Sequence, residues 1–317
     1  MKAPRAVMLA MLALVVSLPL GLAAGGAPPA PTGGGPVASA PPLGPDDFVY
    51  QQIDYPGSPR TWVFGINSRG DVAGRYLLPD TPVGTVVWRG FVLRDGVFTD
   101  FAYPGSAKTT GMGINSRGDV AGTYLDSNGA GHGFLLADGQ FTEIVIDGGT
   151  NVYAWDINDS GVVLGRYDDP DSHEWINFLW RDGRHVTLQL PEVAWAEGFG
   201  LNDRGEVAGH FVRAGDNTNH MIGFIYWKGA FTEVDYPEPN AMACFQGIGD
   251  TGAVVGHVQL GQVVYGTIWE KGAFSATLRF PAAKWTYPHG LTPNGIVAGY
   301  FAGVDGIPHG FVARRQR

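Results

Sequence analysis

Gly65-Ile66-Asn67-Ser68-Arg69-Gly70-Asp71-Val72-Ala73-Gly74 is the stretch on which the fold turns, because close variants of it return five times. They begin at Gly113, Asp156, Gly200, Gly247 and Gly290, so the starts lie 48, 43, 44, 47 and 43 residues apart. Glycine holds the sixth position of every copy: Gly70, Gly118, Gly161, Gly205, Gly252 and Gly295. It holds the tenth position of every copy as well. A period in the forties signals a repeat architecture, with room for about four short strands per copy.

Turn chemistry predicts those strands. The first ends at the opening glycine and its Ile or Leu. Asn-Ser-Arg-Gly then makes a turn: Asn bonds its own backbone, and Gly accepts the positive φ that other residues resist. The second strand is apolar and β-branched, as in Gly161-Val162-Val163-Leu164-Gly165. The third carries an aromatic anchor, as in Gly90-Phe91-Val92-Leu93 and Gly133-Phe134-Leu135-Leu136. Asp95-Gly96, Asp138-Gly139, Asp182-Gly183, Lys228-Gly229 and Lys271-Gly272 join it to the fourth strand, and Asp-Gly between apolar runs is among the strongest short hairpin signals. Length variation collects between the second and third strands, where surface loops tolerate insertion.

The sixth copy has three strands, and its fourth-strand anchor would fall one position beyond Arg317. Val49-Tyr50-Gln51-Gln52-Ile53-Asp54-Tyr55-Pro56-Gly57 aligns with the fourth strand Val97-Phe98-Thr99-Asp100-Phe101-Ala102-Tyr103-Pro104-Gly105. Residues 48 to 54 are therefore expected to pair with the strand around 309 to 315. The expected fold is all-β: a six-bladed β-propeller over residues 47 to 317. It has four antiparallel strands per blade and is closed by the N-terminal strand, which leaves no long open edge.

Residues 1 to 24 read as a signal peptide: Lys2 and Arg5 precede an apolar run from Ala6 to Leu20, with small residues after it. Residues 25 to 46, rich in Gly and Pro, read as a disordered linker. These readings predict a secreted, periplasmic or cell-surface protein with no transmembrane segment after signal cleavage. Cys244, the single cysteine, excludes an intramolecular disulfide and reads as a buried core residue. The net charge is -9 and no Lys/Arg cluster stands out, which argues against a nucleic-acid partner.

The phrase Gly-Ile-Asn-x-x-Gly-x-Val-x-Gly, with His132-Gly133-Phe134 and His309-Gly310-Phe311 downstream, resembles the HAF-type extracellular repeat family of bacteria. Gly replaces that family's usual central Ala. The resemblance spans about residues 48 to 317 and implies a bacterial secreted or cell-surface repeat protein. It supplies no catalytic residues.

Departures from the repeat mark the candidate site. The residue before the opening glycine is Phe64, Met112, Trp155 or Phe199 in four copies, but Gln246 and His289 in the last two. Asp156 takes the place of the opening glycine in the third copy, and Glu197 precedes Gly200 by three positions. With Trp195 and Trp285 among nearby aromatics, these residues are expected at a channel mouth, on the face that carries the variable loops. They either line a wet channel or bind a ligand. The acidic loop Asp168 to Glu174 suits Ca²⁺ weakly and a solvated surface better. No catalytic or phosphate-binding motif appears. The leading reading is a non-catalytic module for a glycan, peptide or protein. The rival is an extracellular polysaccharide hydrolase or lyase using Glu197, Asp156 and His289.

Overall fold

A computed structural model describes residues 43–79, 81, 85–191 and 193–316. The signal-peptide reading and most of the linker reading lie outside the described residues. The fold is all-β, with twenty-four strands in four sheets among the described residues. No helix among them is long and apolar enough to cross a membrane.

A lone strand, β1 (Phe48–Ile53), precedes the repeats. The first copy forms β2 (Thr61–Ile66), β3 (Val72–Leu77), β4 (Trp88–Arg94) and β5 (Val97–Phe101). The second forms β6 (Lys108–Ile114), β7 (Val120–Leu125), β8 (Gly131–Ala137) and β9 (Gln140–Ile144). β10 (Thr150–Ile157), β11 (Val163–Asp168), β12 (Trp175–Arg181) and β13 (Arg184–Thr187) make one four-stranded sheet. β14 (Trp195–Leu201), β15 (Val207–Val212), β16 (Ile222–Trp227) and β17 (Ala230–Val234) make another. The fifth copy gives β18 (Met242–Ile248), β19 (Val254–Leu260), β20 (Val263–Glu270) and β21 (Ala273–Leu278). The sixth gives β22 (Trp285–Leu291), β23 (Val297–Ala302) and β24 (Pro308–Arg315). Single parallel pairs, Trp88 with Lys108 and Val264 with Trp285, join neighbouring copies into the two eight-stranded sheets.

β1 pairs antiparallel with β24, from Phe48 opposite Arg315 to Ile53 opposite Gly310. This is the register the repeat alignment predicts. Phe48 packs with Ile268, Leu278 and Phe311, so β1 is tied to the fifth copy as well as the sixth. Leu43, inside the stretch read as linker, also has a partner: its N–H donates to the Ser275 carbonyl at 2.8 Å, and its carbonyl accepts from Thr277 at 2.9 Å.

Local chemistry explains the regularity. Asp95 and Gly96 have φ of 50° and 78°, the two positive values of a type I′ hairpin turn, and the other four hairpins repeat the pattern. The third-strand anchors Phe91, Phe134, Phe178, Phe224 and Phe311 are fully buried. Each such ring contributes roughly 1.5–3 kcal/mol through burial. The tenth-position glycine makes room for it. A Cβ on Gly74 would lie 2.9 Å from the Phe91 ring and 2.0 Å from the Trp62 carbonyl oxygen.

Candidate functional site

Each first strand carries one residue too many. The β2–β3 register shifts between Val63 and Gly65, and the same slip recurs in β6, β10, β14, β18 and β22. Phe64, Met112, Trp155, Phe199, Gln246 and His289 are the residues skipped. A bulge re-aims a side chain that a regular ladder would hold in alternation. All six line one cavity of about 100 Å³. The first strands are pressed together around it. A Cβ on Gly247 would meet the His289 carbonyl oxygen at 2.1 Å, and one on Gly290 would meet Ile66 Cγ2 at 2.9 Å.

The wall above the bulges is built from the turns. Asn67, Asn115, Asn158 and Asn202 each donate from Nδ2 to a backbone carbonyl of the next copy, at 2.9, 3.4, 3.1 and 3.1 Å. One residue further on, the Ser116 N–H donates to Asp159 Oδ1 at 2.6 Å. The Asp159 N–H donates to Asp203 Oδ1 at 2.7 Å, and the Asp203 N–H to Asp250 Oδ1 at 2.9 Å. Three carboxylates thus form an arc on the lining of the cavity. Burial, then the Asp250 and Asp159 charges, raises the Asp203 pKa.

The predicted site residues divide in two. Asp156, Gln246 and His289 line the cavity. Asp156 replaces close glycine packing with hydrogen bonds: Oδ2 accepts from the Leu201 N–H of the next copy at 2.8 Å, and Oδ1 from Ile157 at 2.8 Å. Burial pushes its carboxyl up to about 7. His289 meets the Phe64 ring edge-on at 5.2 Å and stacks on Tyr300 at 5.4 Å. Burial, with the charge of Arg75, pushes its imidazole down to about 3, so it is neutral at pH 7. Gln246 is 4% exposed, and its Oε1 has no hydrogen-bond partner among the described residues.

Trp195, Glu197 and Trp285 do not line this cavity. Trp195 and Trp285 open β14 and β22, six residues before the ends that reach it. The bulged Phe199 and His289 that line the cavity lie four residues on, roughly 13 Å along a strand. Trp195 packs against Trp175 and His210, and the Lys284 ammonium lies 4.3 Å from the Trp285 ring centre. Glu197 is buried in an ion pair, its Oε1 2.5 Å from Arg166 Nε, while Arg166 Nη1 bonds Asp168 at 2.6 Å. The two carboxylates hold the guanidinium charged, raising its pKa.

Two expectations need correction. The cavity opens among the constant Asn-x-x-Gly turns rather than among the variable loops. The trio Glu197, Asp156 and His289 is not gathered at it. Loop variability is a poor guide because the bulges, which loop length does not reveal, decide where the first-strand side chains point. Asp159, Asp203 and Asp250 escape a reading of the sequence, since Asp in a turn reads as ordinary turn chemistry. The signal is nonetheless present: that position is Ser68 and Ser116 in the first two copies and aspartate in the next three.

Elsewhere the polar groups are structural. His132 Nδ1 lies 2.8 Å from Glu143 and His309 Nδ1 2.7 Å from Asp54, each linking a third strand to a fourth. Cys244 is buried with Sγ 3.4 Å from Met221 Sδ, and burial pushes its thiol up to about 12. In the acidic loop, Asp169 accepts from Asp171 and Ser172. No group of three or more metal-ligating side chains is assembled among the described residues.

No family model and no curated protein matches the chain. Among solved structures it is similar to a catalytically inactive virginiamycin B lyase from Staphylococcus aureus with quinupristin. Identity there is 14% over 83% of this chain and 99% of that one, at a TM-score of 0.46. It is also similar to the Aleuria aurantia lectin, described as a six-bladed β-propeller that recognises fucose, at 11% identity over 79% and 89% of the two chains and a TM-score of 0.47. The third is YCF48 bound to D1 peptide, at 11% identity over 88% and 100% of the chains and a TM-score of 0.47.

Proposed function

We propose that the chain is a secreted, six-bladed β-propeller of the HAF repeat type, closed by β1, that acts as a non-catalytic binding module. Its site is the cavity at the turn end of the first strands, and its ligand is a small group presented by a peptide or protein. The carrying observation is convergence: six bulged residues from six copies meet at one cavity. Packing alone has no need of six such bulges. A cavity of about 100 Å³ holds a side chain or a few waters, whereas pockets for drug-sized ligands run to several hundred Å³. That size favours a peptide or protein over an oligosaccharide. Binding is preferred to catalysis because both Asp156 oxygens are engaged by backbone N–H groups and His289 is packed between rings.

Gln246 tests the reading. A buried acceptor without a partner costs stability, by roughly 1–3 kcal/mol. Gln246→Leu should therefore melt higher than the native chain while losing at least tenfold in affinity for peptides selected from an immobilised peptide library. A library without a binder, or a binder unaffected by Gln246→Leu, contradicts the proposal.

A further inference from the structure

We infer that the cavity recognises an organic ammonium group, of the kind a lysine side chain carries, in the part lined by Gln246 and the Asp159–Asp203–Asp250 arc. The inference rests on the binding reading above and names the ligand chemistry.

The arc is built for charge. Each Asp uses Oδ1 for a backbone N–H of the preceding copy, and Oδ2 takes no hydrogen bond among the described residues. Three carboxylates side by side repel one another when charged; the Asp203 pKa is raised first by burial, with smaller contributions from the Asp250 and Asp159 charges. An arriving cation relieves that repulsion.

The second, independent observation lies deeper. Gln246, 4% exposed on the cavity lining, keeps an unpaired Oε1, an acceptor that an ammonium N–H can fill. Trp155, Phe199 and Phe64 also line the cavity, and aromatic rings attract cations and cover methylene groups. A metal ion is a poorer fit, because the carboxylates are not gathered into a ligand set. Three guanidinium groups reach this region, and each is engaged: Arg204, whose Nη2 lies beside Gly252, pairs with Glu206. Arg117 pairs with Asp119 at 2.6 Å and donates to the Asp159 carbonyl. Arg75 lies under the Phe64, Trp62 and Trp88 rings, beside His289 and away from the arc's three copies.

The probes are n-butylammonium and its neutral counterpart n-butanol, titrated calorimetrically into the full chain at low ionic strength. Butylammonium should bind saturably and at least tenfold more tightly than butanol. The double variant Asp203→Asn, Asp250→Asn keeps both Oδ1 acceptors, so its thermal melt should be near native while the ammonium preference falls at least tenfold. Gln246→Leu should weaken butylammonium more than butanol. If butanol binds as well as butylammonium, and Phe199→Ala weakens both, the cavity binds but the ammonium inference is wrong. An unchanged preference in the folded Asn double variant is equally against it. If neither probe binds, the cavity reading falls along with the inference.

Discussion

Glu197 stands against Arg166 with neither group open to water. Removing Glu197 leaves the buried Arg166 with Asp168 as its remaining carboxylate, so the cost lies below the roughly 3–5 kcal/mol of a buried charge left with no partner. Glu197→Ala should lower unfolding free energy by roughly 1–3 kcal/mol in a urea titration; a change under about 1 kcal/mol would contradict the buried pair. The three histidines His210, His257 and His289 are pushed by burial to about 4, 3 and 3. Their folded values lie below the unfolded value near 6.5, so their stability contribution is complete above about pH 6.5 and drains away as pH falls toward 4. Asp156, raised to about 7, acts with the opposite sign, since its protonated form is the favoured one in the fold. Around pH 5 the unfolded chain therefore binds roughly three more protons at the histidines and one fewer at Asp156. From these groups, stability should fall on acidification by up to about 2.7 kcal/mol per pH unit, two protons' worth. Denaturant midpoints between pH 7 and 4.5 measure the slope; a flat profile contradicts neutral buried histidines.

Two glycines separate the two demands made on the repeated strand–turn–strand element. Gly118 has a φ of 95°, and the atom nearest to where a Cβ would stand is Arg94 Nη2, the movable end of a side chain. Gly118→Val should cost roughly 1–3 kcal/mol through backbone strain. Gly247 instead faces backbone, the His289 carbonyl, so Gly247→Ala must part β18 from β22 and should cost more than Gly118→Val. Matched denaturant titrations decide it, and a neutral Gly247→Ala would contradict the close packing of first strands. The turn glycines, the Asp-Gly hairpins and the buried Phe anchors are all legible in the sequence, because each is dictated by residues within a few positions. The bulges are not. One extra residue in a six- to eight-residue strand leaves the alternation almost intact, and only the pairing partner reveals the slip. Hence Gln246 and His289 stand out correctly as departures from the repeat, while the end of the strands they serve does not follow from the sequence. Trp195 and Trp285 draw attention as aromatics and sit at the far strand ends. Glu197 is a departure too, explained by Arg166 in the neighbouring copy, a contact no local pattern announces.

At the scale of the whole molecule, the account depends on the N-terminal strand completing the last repeat. Each first strand touches the next, from β2 through β22, and β2 also lies against β22, β23 and β24. In the proposed propeller the weakest joint is where β1 meets β24, and there β1 supplies Phe48 and Ile53, 4% and 6% exposed. Burying those two side chains contributes roughly 3–6 kcal/mol, before any backbone pairing is counted. Without β1, the β24 edge would be free to pair with another molecule. The most direct measurement is thermal unfolding, with light scattering, of a chain lacking residues 43 to 53, alone and with a synthetic peptide of that segment. The deletion should melt far below the native chain and associate through its open edge, and the peptide should restore a monomer of higher melting temperature. A deleted chain that stays monomeric at the native melting temperature would contradict closure by β1.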